Sequence, residues 1–342
     1  VNLVLVTKHD GSIRACCDYR ALNAATTRDT YPLPRMDQCL DALGGHNAWV
    51  STLDLRTGYH QVAMHPRDKE KTAFICHKGS FCFRTMPMGL MNSGATFQRL
   101  MDLVMAGLIF EQCVVYLDDI IIFSPTAEEH LVRLESVLSR LASYGLKLKP
   151  SKCRLMRKRV TFLGHVVSED GIETDPETIS ETQNWEVPKS LTQVRSFLGL
   201  CGYYRRFIRG YAEVASPLTS LQKKDARRFA WTEECQKAFE TLKEALTSAP
   251  ILAMPKEGLR FVVDTDASDH AIGAVLSQIQ EDGSESPIAY ASNALKDGQV
   301  NYCVTRRELL AIVVFLKKWR QYLLGQPRFL VRTDHDALTW LK

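Results

Sequence analysis

The sequence predicts an α+β protein of two or three domains, on three observations. Its 342 residues are 45% hydrophobic and 24% charged, a globular composition with enough chain for more than one core. Short β-branched and aromatic runs alternate with stretches whose apolar residues recur at helical intervals. Some strand-like runs end in acids, above all VVYLDDIIIF at 114–123, where two adjacent aspartates interrupt what otherwise reads as two buried strands.

Taken in order, residues 3–7 read as a strand, HDGS at 9–12 as a turn and residues 13–19 as the second arm of a hairpin. YPLP at 31–34 breaks the chain. Residues 49–55 and 72–84 follow as strands, and residues 87–102 as a helix. Thr126 and Glu129 have capping-box spacing, Leu131, Leu134, Leu138 and Leu141 follow at helical intervals, and Gly145 supplies the stop. Residues 161–167 form a strand pattern with Gly164 inside it. Ser190 caps a further helix, Phe239, Leu242 and Leu246 mark another, and Pro250 and Pro255 punctuate a linker before a strand at 259–265.

Composition excludes several classes. The longest apolar run near the C-terminus, 309–316, falls far short of the ~20 residues of a membrane span, and the N-terminus lacks a secretory leader, so a soluble, intracellular protein with no membrane partner is expected. Ten cysteines show no CxxC and no zinc spacing, and read as reduced, mostly buried thiols. Val1 at the start and Lys342 at the end, without a turn or polar tail, give both ends the look of cuts in something longer. The net charge is only +4, but residues 147–159 hold seven basic residues and no acid, and residues 189–228 hold nine and two. Aromatics interleave the second run in GYYRRFIR at 202–209, a mixture suited to sugar, base and phosphate contacts.

An isolated Asp-Asp is usually an exposed turn. Here the pair lacks the glycine that a tight hairpin favours, and Asp54 ends another apolar strand. If the two strands pair, Asp54 and Asp118 converge, and like charges that close repel unless a cation lies between them. Oxygen ligands without His or Cys point to Mg²⁺.

KHDGSIR at 8–14, CDYRALN at 17–23, YPLP at 31–34, LDLRTGYHQ at 53–61, MPMGL at 86–90 with ATFQ at 95–98, and YLDD at 116–119 occur in order. GLKLKPSKC at 145–153 and FLGH at 162–165 continue the series. With these motifs the chain resembles the reverse transcriptases of LTR retrotransposons, most closely the gypsy type, over essentially its whole length. The resemblance implies a right-hand polymerase of fingers, palm and thumb. Asp54 and Asp118 would hold two Mg²⁺ ions, for which Mn²⁺ can substitute, with Asp119 in the same cluster. Lys8 and Arg14 match the residues that clamp the incoming deoxynucleoside triphosphate, and Gln98 falls with them among substrate-binding positions. Tyr59 matches the aromatic that blocks a ribose 2′-hydroxyl; from the residues alone, a core tyrosine reads equally well. FLGH matches the primer-grip hairpin, and the resemblance leaves open whether Lys147 or Lys149 assists pyrophosphate release. Ser93-Gly94 stands where Ala-Pro is usual in the family, and Met88 where Phe or Gln is common.

In the last third, Asp266 ends a strand in TDAS, Glu308 stands at the start of an apolar helix and Asp334 ends another strand. A glutamate at a helix start is more often a dipole residue, but the three in this order resemble the ribonuclease H domain that follows gypsy-type polymerases, again with two Mg²⁺ ions. Asp264 shares a strand face with Asp266, so the choice of Asp266 rests on the family pattern. The resemblance implies fingers and palm over 1–168, thumb over 169–228, a helical linker over 229–258 and a partial ribonuclease H-like α/β domain over 259–342. That domain is expected to lack its last acid and covering helices, to expose Leu338 and Leu341, and to cut weakly. Partners would be RNA and DNA template-primer, with Arg205, Arg206 and Arg209 on the phosphates, and an RNA–DNA hybrid. A cytoplasmic particle, with the nucleus as a second compartment, and a homodimer are compatible with this reading. The alternative is a catalytically silent, nucleic-acid-binding relic.

Overall fold

The computed structural model describes residues 1–7, 11, 13–44, 47–222 and 229–338, without the side chain of Arg14. Two compact units divide the chain, Val1–Leu163 and Gly164–Lys342. In the first, β1 (Leu3–Thr7) and β2 (Ile13–Cys17) pair antiparallel from Leu3↔Cys17 to Thr7↔Ile13. α1 (Arg20–Ala25) and α2 (Met36–Asp41) follow, joined by the extended proline-containing stretch, and then β3 (Trp49–Asp54). The long strand expected over 72–84 is a small hairpin, β4 (Phe74–Cys76) and β5 (Gly79–Phe81), because Gly79 turns the chain at φ +121°. Helix α3 (Ser93–Val104) begins later than expected. Gly89, at φ +93°, holds the preceding loop out of helical geometry.

β6 (Cys113–Tyr116), β7 (Asp119–Ser124), α4 (Ala127–Ser143), β8 (Arg154–Arg157) and β9 (Arg159–Phe162) complete this unit. Its central sheet runs β6-β7-β3-β8. Ile120, Ile121 and Ile122 of β7 are fully buried, as suits an interior strand, and each contributes about 1.5–3 kcal/mol of burial. The Thr126 hydroxyl accepts from Glu129 N–H at 3.2 Å, an N-cap contributing about 1 kcal/mol. The face of α4 that packs down carries His130, Leu134, Val137 and Leu141, whereas Leu131 is 56% exposed. The stripe is centred on His130 because both its ring nitrogens find buried partners, Ser51 Oγ at 2.7 Å and Ser124 Oγ at 2.8 Å.

The strand expected over 161–167 is interrupted, since Leu163 (φ +46°) and Gly164 (φ +64°) are both left-handed. The second unit opens with β10 (His165–Ser168), β11 (Gly171–Thr174), α5 (Pro176–Gln183), α6 (Leu191–Tyr203), α7 (Tyr211–Val214), α8 (Ser216–Ser220) and α9 (Glu233–Thr247). Ser190 caps α6 through Gln193 N–H at 3.3 Å. The stretch 229–258 is helical in α9 and packs within this unit. Phe239 of α9 meets Phe197 of α6 at 4.6 Å, Lys243 Nζ donates to Gln183 O and Trp185 O, and Leu252 and Ile172 exchange backbone bonds at 2.9 Å.

β12 (Phe261–Ala267), β13 (Ala271–Ile279) and β14 (Glu285–Ala294) form an antiparallel meander. After α10 (Val304–Lys318) and α11 (Arg320–Leu323), β15 (Leu330–Arg332) returns parallel to β12, giving the order β14-β13-β12-β15. α10 packs Ala311 and Phe315 onto Phe261, Leu276 and Ile288. Leu338 is buried at 7% exposure, contrary to expectation, because the turn that carries it packs back; Leu341 lies outside the described residues. All ten cysteines are free, but only four are buried. Among the described residues no helix is long and apolar enough to cross a membrane.

Candidate active sites

Strand pairing brings the first acids together. β3 and β7 run antiparallel with Asp54 opposite Asp119, and Asp118 occupies the two-residue bend that joins β6 to β7. The first bend position takes φ > 0, usually a glycine's place, and here it is Leu117 at φ +52°. That conformation costs on the order of 1 kcal/mol or more in an L-residue. Gln98 offsets it: its Oε1 accepts from Leu117 N–H at 2.8 Å. Burial first, then Asp119 and Asp54, push Asp118 up to about 6. Asp119 is raised as well, by desolvation of its carboxyl end and by Asp54, and Lys152 eases it. Lys152 Nζ lies 3.1 Å from Asp54 Oδ2, where a cation suits the cluster. Asp118 Oδ1 is buried with no hydrogen-bond partner. A buried, unsatisfied carboxylate oxygen among like charges is the environment that a hard divalent cation corrects, so these residues fit Mg²⁺.

The second set is tighter. Ligand oxygens of Asp266 at the end of β12, Glu308 on α10 and Asp334 after β15 lie within 4.8 Å of one another. Glu308 is 3% exposed, its Oε2 is buried without a partner, and burial, Asp334 and Asp266 raise its carboxyl. It stands in the second turn of α10, four residues past Val304, rather than at the helix start, so the helix dipole does not account for it. The geometry separates Asp264 from Asp266. Arg332 holds Asp264 through Nε and, at 2.6 Å, through Nη2, and also reaches Glu285 at 2.7 Å, which leaves Asp266 to the cluster.

A family model for reverse transcriptase (RNA-dependent DNA polymerase) matches residues 6–167, and one for the RNase H-like domain found in reverse transcriptase matches residues 231–331. The chain carries a reverse transcriptase domain and an RNase H-like domain. The retrovirus-related Pol polyprotein from transposon 297 of Drosophila melanogaster is 43% identical over 328 residues, 96% of this chain and 30% of that polyprotein. The Pol polyprotein from transposon 412 of the same organism is 39% identical, over 96% of this chain and 26% of its own length. The Tf2-3 polyprotein of Schizosaccharomyces pombe is 35% identical, over 98% and 25%. The chain thus spans less than a third of each of these relatives. Among solved structures, the foamy viral protease-reverse transcriptase dRH in complex with ds DNA matches with TM-score 0.87 at 27% identity, over 99% of this chain and 59% of that one. The foamy viral protease-reverse transcriptase in complex with RNA/DNA hybrid matches with TM-score 0.82 at 27% identity, over 97% and 44%.

Around Asp54, Asp118 and Asp119, the remaining expected residues divide. Lys8 lies outside the described residues, and Arg14 is placed only by its backbone, opposite Val6 in β2. Tyr59 is half-buried with its ring on Phe97 at 5.1 Å, and burial and Asp118 raise its hydroxyl. It is therefore both a packing residue and a neighbour of the acids. Gln98 is 1% exposed and spends its amide on Leu117, Asp102 and Val115 O, so it supports the bend rather than meeting substrate. Ser93, where the family has Ala, is buried and ties the preceding loop through Pro87 O at 3.0 Å.

The three arginines expected on nucleic acid also separate. Arg206 is 8% exposed and donates to Ile288 O at 3.3 Å; Arg205 donates to Ser292 O at 2.6 Å and covers the Tyr211 ring. Both anchor their segment to β14. Arg209 remains exposed and lines a cleft of about 370 Å³ with Asp264, Asp266 and Asp334.

Two residues escaped the sequence reading. Lys152 meets Asp54; its signal was the third lysine of KLKPSK, which the bend at Pro150 turns toward β3. Gly58 is buried where an added Cβ would lie 2.9 Å from Asp118 Oδ1 and 3.0 Å from Phe97 Cζ, and only its place in RTGYH pointed to it.

Proposed function

We propose that this chain is an RNA-directed DNA polymerase that extends a primer on RNA by two-metal nucleotidyl transfer, with an appended domain that cuts RNA in RNA–DNA hybrids. The observation that carries the reading is the convergence of Asp54, Asp118 and Asp119 at one end of the β3–β7 pair, with Asp118 Oδ1 buried and unpartnered. The solved foamy viral enzymes hold ds DNA and RNA/DNA hybrid, which supports template-primer and hybrid as partners here.

Bound Mg²⁺, or Mn²⁺ in its place, supplies a lowered pKa at the primer 3′-hydroxyl and charge neutralisation at the leaving pyrophosphate. The three aspartates would hold it, and Leu117 with Gln98 fixes where they point. Lys152 balances Asp54 without metal and keeps a positive charge beside the site. The Tyr59 ring, braced on Phe97, would exclude a ribose 2′-hydroxyl. Asp266, Glu308 and Asp334 would hold the metals of the second site, with Arg209 at the rim of its cleft.

Primer extension on poly(rA)/oligo(dT), with and without Mg²⁺, tests the first activity. Asp54→Asn and Asp118→Asn should each lose on the order of 10²-fold or more. Extension at the wild-type rate by Asp118→Asn would overturn the assignment. Hybrid cutting that survives Glu308→Gln would overturn the second.

A further inference from the structure

A chain of hydrogen bonds leads away from the Leu117 bend to the stretch around Tyr31. Gln98 Oε1 accepts from Leu117 N–H at 2.8 Å. Its Nε2 donates to Asp102 Oδ1 at 2.9 Å, one turn further along α3. The other oxygen, Asp102 Oδ2, accepts from the Tyr31 hydroxyl at 2.5 Å. Tyr31 is itself held: Arg99 lies 4.7 Å over its ring and pairs with Asp29 at 2.6 Å, while Asp29 accepts from Tyr31 N–H at 3.0 Å. Asp29 N–H in turn donates to Asn92 Oδ1 at 3.0 Å.

The polarity of this chain is fixed at Gln98. The Leu117 N–H can only donate and the Val115 carbonyl, 3.4 Å from Nε2, can only accept, so the amide presents its NH₂ group to Val115 O and, at the shorter distance of 2.9 Å, to Asp102. Its oxygen is thereby directed at Leu117. A flipped amide would set N–H against N–H in a site where Gln98 is 1% exposed and water cannot compensate. Leu117 bears the left-handed strain of the bend, and the next two residues are the acids. Displacement of a reacting group by about 1 Å can cost on the order of 10²-fold in rate, so a loosened bend is costly.

We propose that Tyr31 and Asp102 are positioning residues of the polymerase site, acting through Gln98 to hold Leu117 left-handed and so to aim Asp118 and Asp119. The catalytic consequence rests on the polymerase reading; the effect on the bend does not. A purely anchoring role, fastening the stretch around Tyr31 to α3, would leave the bend unchanged when either residue is altered.

The test uses Tyr31→Phe and Asp102→Ala in the full chain, with Gln98→Ala as the reference for complete loss of the bond. Residue-resolved hydrogen exchange in metal-free protein should show the Leu117 amide exchanging roughly tenfold faster in Asp102→Ala, as one lost hydrogen bond allows, and several-fold faster in Tyr31→Phe. Amides of Val114 and Ile121, within the flanking strands, should hold their wild-type rates. In extension assays the rate at saturating nucleotide should fall and the Mg²⁺ concentration for half-maximal rate should rise, while template-primer Kd and nucleotide KM stay within about twofold. Wild-type exchange at Leu117 in both variants, with acceleration in Gln98→Ala, would overturn the proposal. So would weakened template-primer binding with an unchanged saturating rate and Mg²⁺ requirement. Should Asp102→Ala fail to fold, Tyr31→Phe, which deletes one oxygen, carries both measurements. If the wild type extends no primer, the polymerase reading falls alone, and the exchange rates still decide whether Tyr31 and Asp102 govern the bend.

Discussion

Asp54 faces Asp119 across the last rung of the β3–β7 ladder, with Asp118 one residue beyond it in the bend. Like charges on facing strand positions oppose folding. Asp118 beside them is crowded as well, and its burial, with the charges of Asp119 and Asp54, raises it to about 6 from 3.8. Against that repulsion stand the buried isoleucines that follow Asp119 in β7 and the Lys152 charge on Asp54. The arrangement costs stability and presents ligands, a combination that functional sites commonly show.

The sign of that cost is testable. Between about pH 4 and 6 the folded protein keeps a proton on Asp118 that the unfolded chain has released, so the contribution of this group to stability falls as pH rises through that window. Asp118→Asn removes the charge without changing the shape. In EDTA it should melt above the wild type at pH 7.5, and the two should converge near pH 4. A variant melting below the wild type at both values would show that the carboxylate is not under strain. Added Mg²⁺ should raise the wild-type melting temperature more than the variant's, since Asp266, Glu308 and Asp334 are intact in both.

Gly58 sets how closely the chain can pass under Asp118. An added methyl would meet Asp118 Oδ1 at 2.9 Å and Phe97 Cζ at 3.0 Å. Since Phe97 is fully buried, the carboxylate has to yield. Gly58→Ala should therefore cost about 1–3 kcal/mol of stability and cut extension by more than tenfold at saturating nucleotide. Denaturant unfolding and single-turnover extension check the two parts. Full activity in a folded Gly58→Ala protein would mean that Asp118 is free to move.

Much of this is legible in the sequence. The acids ending β3, starting β7 and ending β12 are marked by the β-branched runs before or after them, because an apolar strand that ends in a carboxylate is a local pattern. What escaped depended on distance in sequence. Gln98 and Leu117 are 19 residues apart and Lys152 and Asp54 are 98 apart, and no periodicity announces either pair. His130 was missed for a related reason: its burial rests on Ser51 and Ser124, neither of which reads as core alone. Arg205 and Arg206 look like any basic patch in sequence. Only the backbone oxygens of β14 show where their charges are spent.

Tyr59 combines two roles that different substitutions separate. Its ring packs on Phe97, and no described residue hydrogen-bonds its hydroxyl. Tyr59→Phe should therefore keep both stability and the preference for deoxynucleotides. Tyr59→Val removes the ring's bulk and should admit ribonucleotides far better, with deoxynucleotide use little changed, because only the clash with the 2′-hydroxyl is relieved. The ratio of kcat/KM for the two sugars is the measurement. Equal impairment with both sugars would make Tyr59 a core residue alone.

The arginines of GYYRRFIR give the sharpest separation between surface and core. Arg206 is 8% exposed with a bond to Ile288 O, so Arg206→Gln should lower the melting temperature by several degrees, the effect of roughly 2 kcal/mol in a unit of this size. Arg209 is exposed on the cleft shared by Asp264, Asp266 and Asp334 and has no ion pair among the described residues. Arg209→Gln should leave melting unchanged, weaken binding to an RNA–DNA hybrid regardless of sequence, and flatten the log-log salt dependence by about one unit, the signature of one lost phosphate contact. Arg206→Gln should not flatten that slope further. The reverse outcome, a flattened slope with Arg206→Gln and none with Arg209→Gln, would place the phosphate contact on the buried arginine and require its segment to leave β14 when nucleic acid binds.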